Sequence, residues 1–230
     1  MVLFQLLSRK PLPRPLDITK EEREAVYKTI FSRRDVRNEY LPNPIPDEVL
    51  KRVLTAAHHA PSVGFMQPWD FITIKSTKTR AAIKQAFLEA HKEAADMFDE
   101  AKSEQYKGLK LEGIMEAPIG ICITCDRTRN GPVVLGKTAN PEMDLYSSVC
   151  AVQNLWLAAR AENLGVGWVS IIHHDALKKI LNIPDHITPI AYLCMGYVSF
   201  FHEKPELEKV GWLNREDLSN VVHEEFWPEN

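Results

Sequence analysis

Apolar residues first recur at helical spacing after Thr19, where Ala25, Val26, Ile30 and Phe31 share one face. Thr19 followed by Glu22 has the spacing of a capping box and predicts the start of this helix, which runs to about Arg33. Leu41 to Pro46 predicts an extended linker, since each proline disfavours helix at the residue before it. Pro46-Asp47-Glu48 opens a second helix with Val49, Leu50, Val53, Leu54 and Ala57 on one face. A loop at 60–69 leads into a strand at 70–75, and a further helix starts at Thr77. Residues 90–113 are charged and amphipathic, contain Gly108 and Gly113, and read as an exposed helical excursion suited to a lid.

Apolar runs at 119–125, 165–171 and 189–198 predict buried strands. Between the first two, Pro141 to about Asn163 predicts a long helix that is apolar nearly all round, as in a core or a dimer interface. His174 to Leu181 is a short helix. The charged tail at 199–230 holds Trp212, Phe226 and Trp227, which are expected to dock on a partner subunit. Residues 1–17 read as a proline-punctuated extended arm. This order of elements predicts an α+β fold, a mixed sheet under helices, in one domain over 1–230.

Composition adds exclusions. The chain has 230 residues, a net charge of -3 and no apolar run of membrane-spanning length, which points away from nucleic acid and membranes and toward the cytoplasm. Cys122 and Cys125 form a C-x-x-C, but they fall on a predicted strand, where positions three apart face opposite sides. They read as buried thiols, and no second pair stands at zinc spacing. The pairs His58-His59 and His173-His174 lack acidic partners at ligand spacing, so no metal is expected.

Gly131 to Thr138 matches the P-loop pattern letter for letter. That pattern requires a helix starting at its lysine. Asn140-Pro141 disfavours one, and the preceding strand ends too early, so the match reads as coincidence.

The strongest chemistry is Arg33-Arg34-Asp35-Val36-Arg37 at the end of the first helix. Guanidinium groups fork two donors onto phosphates, so three of them predict an anionic ligand. Asp35 adds nothing to a phosphate site. It either holds an arginine in place or does chemistry.

Three stretches together resemble the nitroreductase-like flavoprotein superfamily: this cluster, Ala60-Pro61-Ser62 with Gln67-Pro68-Trp69, and Gly165 to Trp168 after a long helix. Within it, Ile123 to Arg129, Pro132 to Gly136, Asn140 to Ser147 and Gly167 to Ser170 are similar to the 5,6-dimethylbenzimidazole synthase branch. The resemblance implies a homodimer with FMN bound across the subunit interface. It implies an oxygen-dependent reaction in which reduced FMN is the substrate and is split into 5,6-dimethylbenzimidazole and erythrose 4-phosphate. A separate flavin reductase would supply the reduced FMN.

The alternatives implied are an NAD(P)H-dependent nitroreductase or dehalogenase, or a flavin-binding protein without turnover. By resemblance, Asp35 and Ser170 are the catalytic residues, with Asp35 as general base and Ser170 near flavin N5 and C4a. The flavin-binding residues are Arg33, Arg34, Arg37, Ser62, Gln67, Met143, Leu145 and Val169, with Ser62 and Gln67 reaching the partner's flavin. Asp144 and Tyr146 are expected near the ring edge. The asparagine usual in ordinary nitroreductases is Phe65 here, and the usual serine of the cluster is Asp35. An arginine expected directly after Trp212 is Leu213, with Arg215 the nearest substitute.

Overall fold

Thr19 Oγ1 accepts the Glu22 N–H while the Glu22 carboxylate accepts the Thr19 N–H. This closes the predicted box at the start of α1, Lys20–Ser32. The computed structural model describes residues 17–228, and the expected arm at 1–17 lies, but for its last residue, outside the described residues. The elements that follow are α2 (Asp47–His58), β1 (Trp69–Ile74), α3 (Thr77–Ala95), α4 (Glu100–Lys107) and β2 (Ile119–Asp126). Then come α5 (Met143–Ala161), β3 (Leu164–Val169), α6 (His174–Leu181), β4 (Ile187–Tyr197) and α7 (Glu206–Lys209).

The strands form one sheet in the order β1-β2-β4-β3, and each neighbouring pair is antiparallel. A parallel bridge from Asp35 to Val166 adds the mixed character at the outer side of β3. Helices cover both faces, so the fold is α+β as predicted. On one face α2 and α5 pack over Ile119, Ile121, Ile123, Val166, Leu193 and Met195. On the other, α3 and α6 pack over Cys122, Tyr192 and Cys194. Burial on both sides is why β2 and β4 read as unbroken apolar runs. Cys122 belongs to the α3/α6 side, whereas the Cys125 thiol lies beside Ser148 of α5. The two face opposite sides, and all four cysteines are free thiols.

The arginine cluster is fastened to the outer edge of β3. The Val36 N–H donates to the Val166 carbonyl at 3.0 Å, and half-buried Tyr40 donates its hydroxyl to the Cys194 carbonyl at 2.9 Å. This approach needs glycine below it. A Cβ at Gly167 would stand 2.2 Å from the Val36 carbonyl oxygen.

The end of the 90–113 section is held by buried charge. Arg80 donates to the carbonyls of Ile114, Met115 and Ala117. Glu112, 2% exposed, accepts from Lys84, Lys110 and the Ile114 N–H. α4 docks through Tyr106, stacked 4.6 Å from His91.

Trp212, expected on a partner subunit, instead covers α4 of its own chain. Its ring lies 5.8 Å from Phe98, and Lys102 Nζ stands 3.6 Å over its face. The cation and the two rings nearby give this indole a partner within reach of a short tail. Phe226 and Trp227 remain exposed.

α1 forms as predicted, but its apolar face has no cover among the described residues. No residue of α1 is buried, and Val26, Tyr27 and Phe31 lie more than half exposed. No helix of the described residues is long and apolar enough to cross a membrane.

Candidate active site

Arg33 caps the C-terminus of α1 in extended backbone, so the chain turns out of the helix there. Its guanidinium lies 4.6 Å over the Trp156 ring of α5 and, among the described residues, has no ion-pair partner. Burial lowers its pKa; Asp35 opposes that, and Arg34 and Arg215 add to it. Like charges converge here in a way that an anion would relieve.

Arg34 folds back, donating Nη1 to the carbonyls of Phe31 and Arg33 at 2.8 and 2.6 Å and Nη2 to that of Glu203. Its Nε is buried without a partner among the described residues. Arg33, Arg34, Gln153, Lys204 and Arg215 line a cleft of about 580 Å³. A smaller recess of about 140 Å³, lined also by Asp35, Arg37 and Glu206, shares Arg33, Arg34 and Arg215 with it.

Asp35 is held at both oxygens. Oδ1 accepts the Trp168 N–H of β3 at 2.9 Å, and Oδ2 accepts Arg37 Nη2 at 2.9 Å. Burial nevertheless pushes its carboxyl above the ordinary range, outweighing Arg37 and the Trp168 N–H. Asp35 therefore holds an arginine and has a raised proton affinity. Arg37, 7% exposed, is taken up by Asp35 and by Glu206 at 3.3 Å. It lines the recess as part of a carboxylate pair, unlike Arg33 and Arg215.

Ser170 lies exposed just past β3, and among the described residues its hydroxyl makes no hydrogen bond. It is two residues beyond Trp168, about 7 Å along an extended chain from the point where Asp35 is anchored. It borders a small cavity of about 130 Å³ with His174 and Tyr192. The Val169 side chain is buried in the α3/α6 core, so only its backbone is open to a ligand.

The remaining expected residues form a second cluster. Ser62 Oγ accepts the Gln67 N–H at 3.1 Å, and the Val63 N–H donates to Ser147 Oγ of α5 at 3.2 Å. Gly64, Phe65 and Gln67 have φ of 58, 53 and 45°, the left-handed region that costs a side-chain-bearing residue energy. Asn130 donating to the Met66 carbonyl and Arg129 donating to those of Gln67 and Trp69 hold the loop in that form. Phe65 projects from it, 81% exposed.

Met143 and Leu145 are half-buried in the first turn of α5. Tyr146 is exposed beside them, whereas Asp144 is fully buried. It accepts from Lys137 at 2.5 Å and Arg127 at 3.2 Å. Lys137 is the lysine of the P-loop match. It is spent on Asp144 and the Arg127 carbonyl, and the next helix begins only at Met143.

Burial raises the Asp144 pKa, but Lys137, Arg127 and the Leu145 N–H outweigh it and hold the carboxyl below its usual value. A depressed folded pKa adds stability above the unfolded value that is lost as pH falls through the folded one. Melting from pH 7 to 3 should therefore show the wild type losing Tm more steeply below about pH 4 than Asp144→Asn does. Parallel curves would remove Asp144 as an acid-sensitive support.

The two clusters sit at different stations of α5. Ser147 meets the second, and Trp156 underlies the first, roughly 14 Å further along the helix axis. None of Ser62, Gln67, Met143 or Leu145 lines the arginine cleft. Sequence reasoning missed Glu206, Trp156 and Lys137 as partners because nothing local marks them. Arg215 was visible as a substitute, and it does line the cleft. Among the described residues no group of three His, Cys, Asp or Glu is placed to hold a metal ion.

Residues 30–197 match the model of the nitroreductase family. The chain is 40% identical over 183 residues to the 5,6-dimethylbenzimidazole synthase of Rhodospirillum rubrum, spanning 80% of this chain and 86% of that one. It is 34% identical over 197 residues to the enzyme of the same name from Rhodobacter capsulatus, spanning 86% and 95%. Among solved structures, an iodotyrosine deiodinase bound to FMN and 3-iodo-L-tyrosine superposes with a TM-score of 0.69 at 20% identity, covering 88% of this chain and 100% of that one. On the fold, the family match and the two similar synthases, the chain belongs to the nitroreductase family.

Proposed function

We propose that this protein is a 5,6-dimethylbenzimidazole synthase that splits reduced FMN in an oxygen-dependent reaction, releasing erythrose 4-phosphate. The observation that carries this reading is Asp35, a carboxylate of raised proton affinity facing an arginine-lined cleft. The two relatives of that name support it.

The residues present fit FMN. Arg33 and Arg215 offer guanidinium groups without ion-pair partners among the described residues, and the Arg34 Nε is buried and unpaired. Such donors suit a phosphate. Reduced FMN, when bound, supplies the electrons for oxygen and the carbons of the product. Asp35 accepts a proton from the ribityl chain, and its raised pKa makes it a stronger base than an exposed carboxylate. Arg37 and the Trp168 N–H fix its orientation. Ser170, just past β3, offers a hydroxyl without a hydrogen bond among the described residues to orient the ring end.

The protein acts as a homodimer in this reading. The open face of α1 supports that, as does the division of expected flavin contacts between two ends of α5. A two-fold partner would bring its Ser62–Gln67 loop and its Met143–Leu145 turn to the first chain's arginines. Reduced FMN arrives from a separate flavin reductase.

The test supplies reduced FMN and oxygen to the purified protein and separates the products by chromatography. 5,6-Dimethylbenzimidazole with erythrose 4-phosphate is expected, and no FMN reduction by NAD(P)H alone. Simple reoxidation of FMN would end this reading.

Arg215→Ala should weaken FMN binding about 10–100-fold, the worth of a hydrogen-bonded pair with a charged group. Riboflavin, lacking the phosphate, should bind both proteins equally. Fluorescence quenching of the oxidised flavins measures both. An equal loss for riboflavin would place Arg215 away from the phosphate.

A further inference from the structure

We propose that Glu206, in the C-terminal tail, is a positioning residue that sets the acidity of Asp35 by dividing the Arg37 guanidinium between two carboxylates. The proposal rests on the reading of Asp35 as the base of the reaction. Arg37 donates Nη2 to Asp35 Oδ2 at 2.9 Å and Nη1 to Glu206 Oε2 at 3.3 Å. Its Nε is buried without a partner among the described residues, so these carboxylates fix the plane of the guanidinium. The planar guanidinium fork serves the two carboxylates through separate nitrogens in one fixed plane.

The tail is clamped to the same segment at a second point. Lys209, at the end of α7, lies 3.2 Å from His202 Nδ1, and His202 Nε2 lies 3.0 Å from Glu39 Oε1. Glu39 Oε2 accepts the backbone N–H groups of Arg37 and Asn38. Glu206 is therefore held in place by more than its own ion pair.

The groups around Asp35 come from every neighbouring element. Arg33 and Arg34 come from the end of α1, Arg37 and Glu39 from its own segment, the Trp168 N–H from β3, and Glu206 and Arg215 from the tail. Tyr40 and Cys194 lie near it and are kept neutral by burial. Glu39 is turned to His202, which leaves Glu206 as the negative charge sharing Arg37 with Asp35. Glu206 opposes ionisation of Asp35 twice, through its own charge and through its share of Arg37.

The test replaces Glu206 with Gln, which keeps its shape and removes its charge. In flavin-free protein the carboxyl carbon of Asp35 is titrated by NMR after ¹³C labelling of aspartate, its signal assigned by loss in Asp35→Asn. The midpoint should fall by about half a pH unit or more. The acid limb of product formation should move down with it.

A role confined to holding the tail would lower activity without moving either midpoint. An unmoved or raised midpoint in folded Glu206→Gln therefore overturns the proposal. Should that variant fold poorly, Glu206→Asp withdraws the carboxylate while keeping the charge. A smaller fall is expected there, and an unmoved midpoint again overturns the proposal. If the midpoint falls but wild-type protein forms no product at any pH, the coupling stands and the reading of FMN fragmentation fails instead.

Discussion

Asp35→Asn should cut product formation by about 10²–10⁴-fold, the range set by losing a positioned general base. The substitution removes the charge and little volume. The amide oxygen can still accept the Trp168 N–H that Oδ1 accepts now at 2.9 Å. The amide nitrogen would then face Arg37 donor to donor, but Arg37 keeps Glu206. The fold of the edge should therefore survive, and FMN affinity should change by only a few fold because Arg33 and Arg215 are untouched. Single-turnover product yield and flavin binding, measured on the same preparation, separate the outcomes. Undiminished product would remove Asp35 from the chemistry. Binding lost in step with product would reduce it to an arginine support.

Gly167→Ala should be the most damaging of the small substitutions. The added Cβ would lie 2.2 Å from the Val36 carbonyl oxygen, and a backbone atom cannot swing aside as a side chain can. The segment must lift from β3, which strains the Val36–Val166 hydrogen bond and the Trp168–Asp35 contact together. Overpacking of this kind costs about 3 kcal/mol. In a chain of this size that lowers Tm by about 6–12 °C. Activity should fall more than stability predicts, because the lifted segment carries Asp35. Calorimetry and product yield together check this. A Tm within 2 °C or so of wild type would mean the edge yields more readily than its packing implies.

What was legible in the sequence was mostly short in range. The Thr19–Glu22 box, the strand period that turns Cys122 away from Cys125, and the proline that spoils the P-loop match act over a few residues. Long, unbroken apolar runs also announced strands buried on both faces. Contacts between distant segments were not legible. Arg37 and Glu206 are 169 positions apart, and neither residue type nor spacing joins them. Trp212 looked like a docking aromatic, and it is one, but its partner on α4 depends on how the tail returns over the fold. At the site, the arginine cluster and Asp35 were readable because their chemistry is concentrated in five residues. The division of the remaining residues into two clusters was not, because it follows from the length of α5 in space.

The bridge between Asp35 and Val166 has one more consequence. β3 ends the sheet, and an uncovered terminal strand offers unpaired N–H and C=O groups to any extended chain it meets. Here the Val36 N–H already occupies the Val166 carbonyl, and Tyr40 bridges Val198 just beyond. The segment carrying Asp35 thus also covers the edge that would otherwise be open to other chains. Loosening it endangers solubility as well as chemistry, which ties the site's sequence to the protein's survival in a crowded solution.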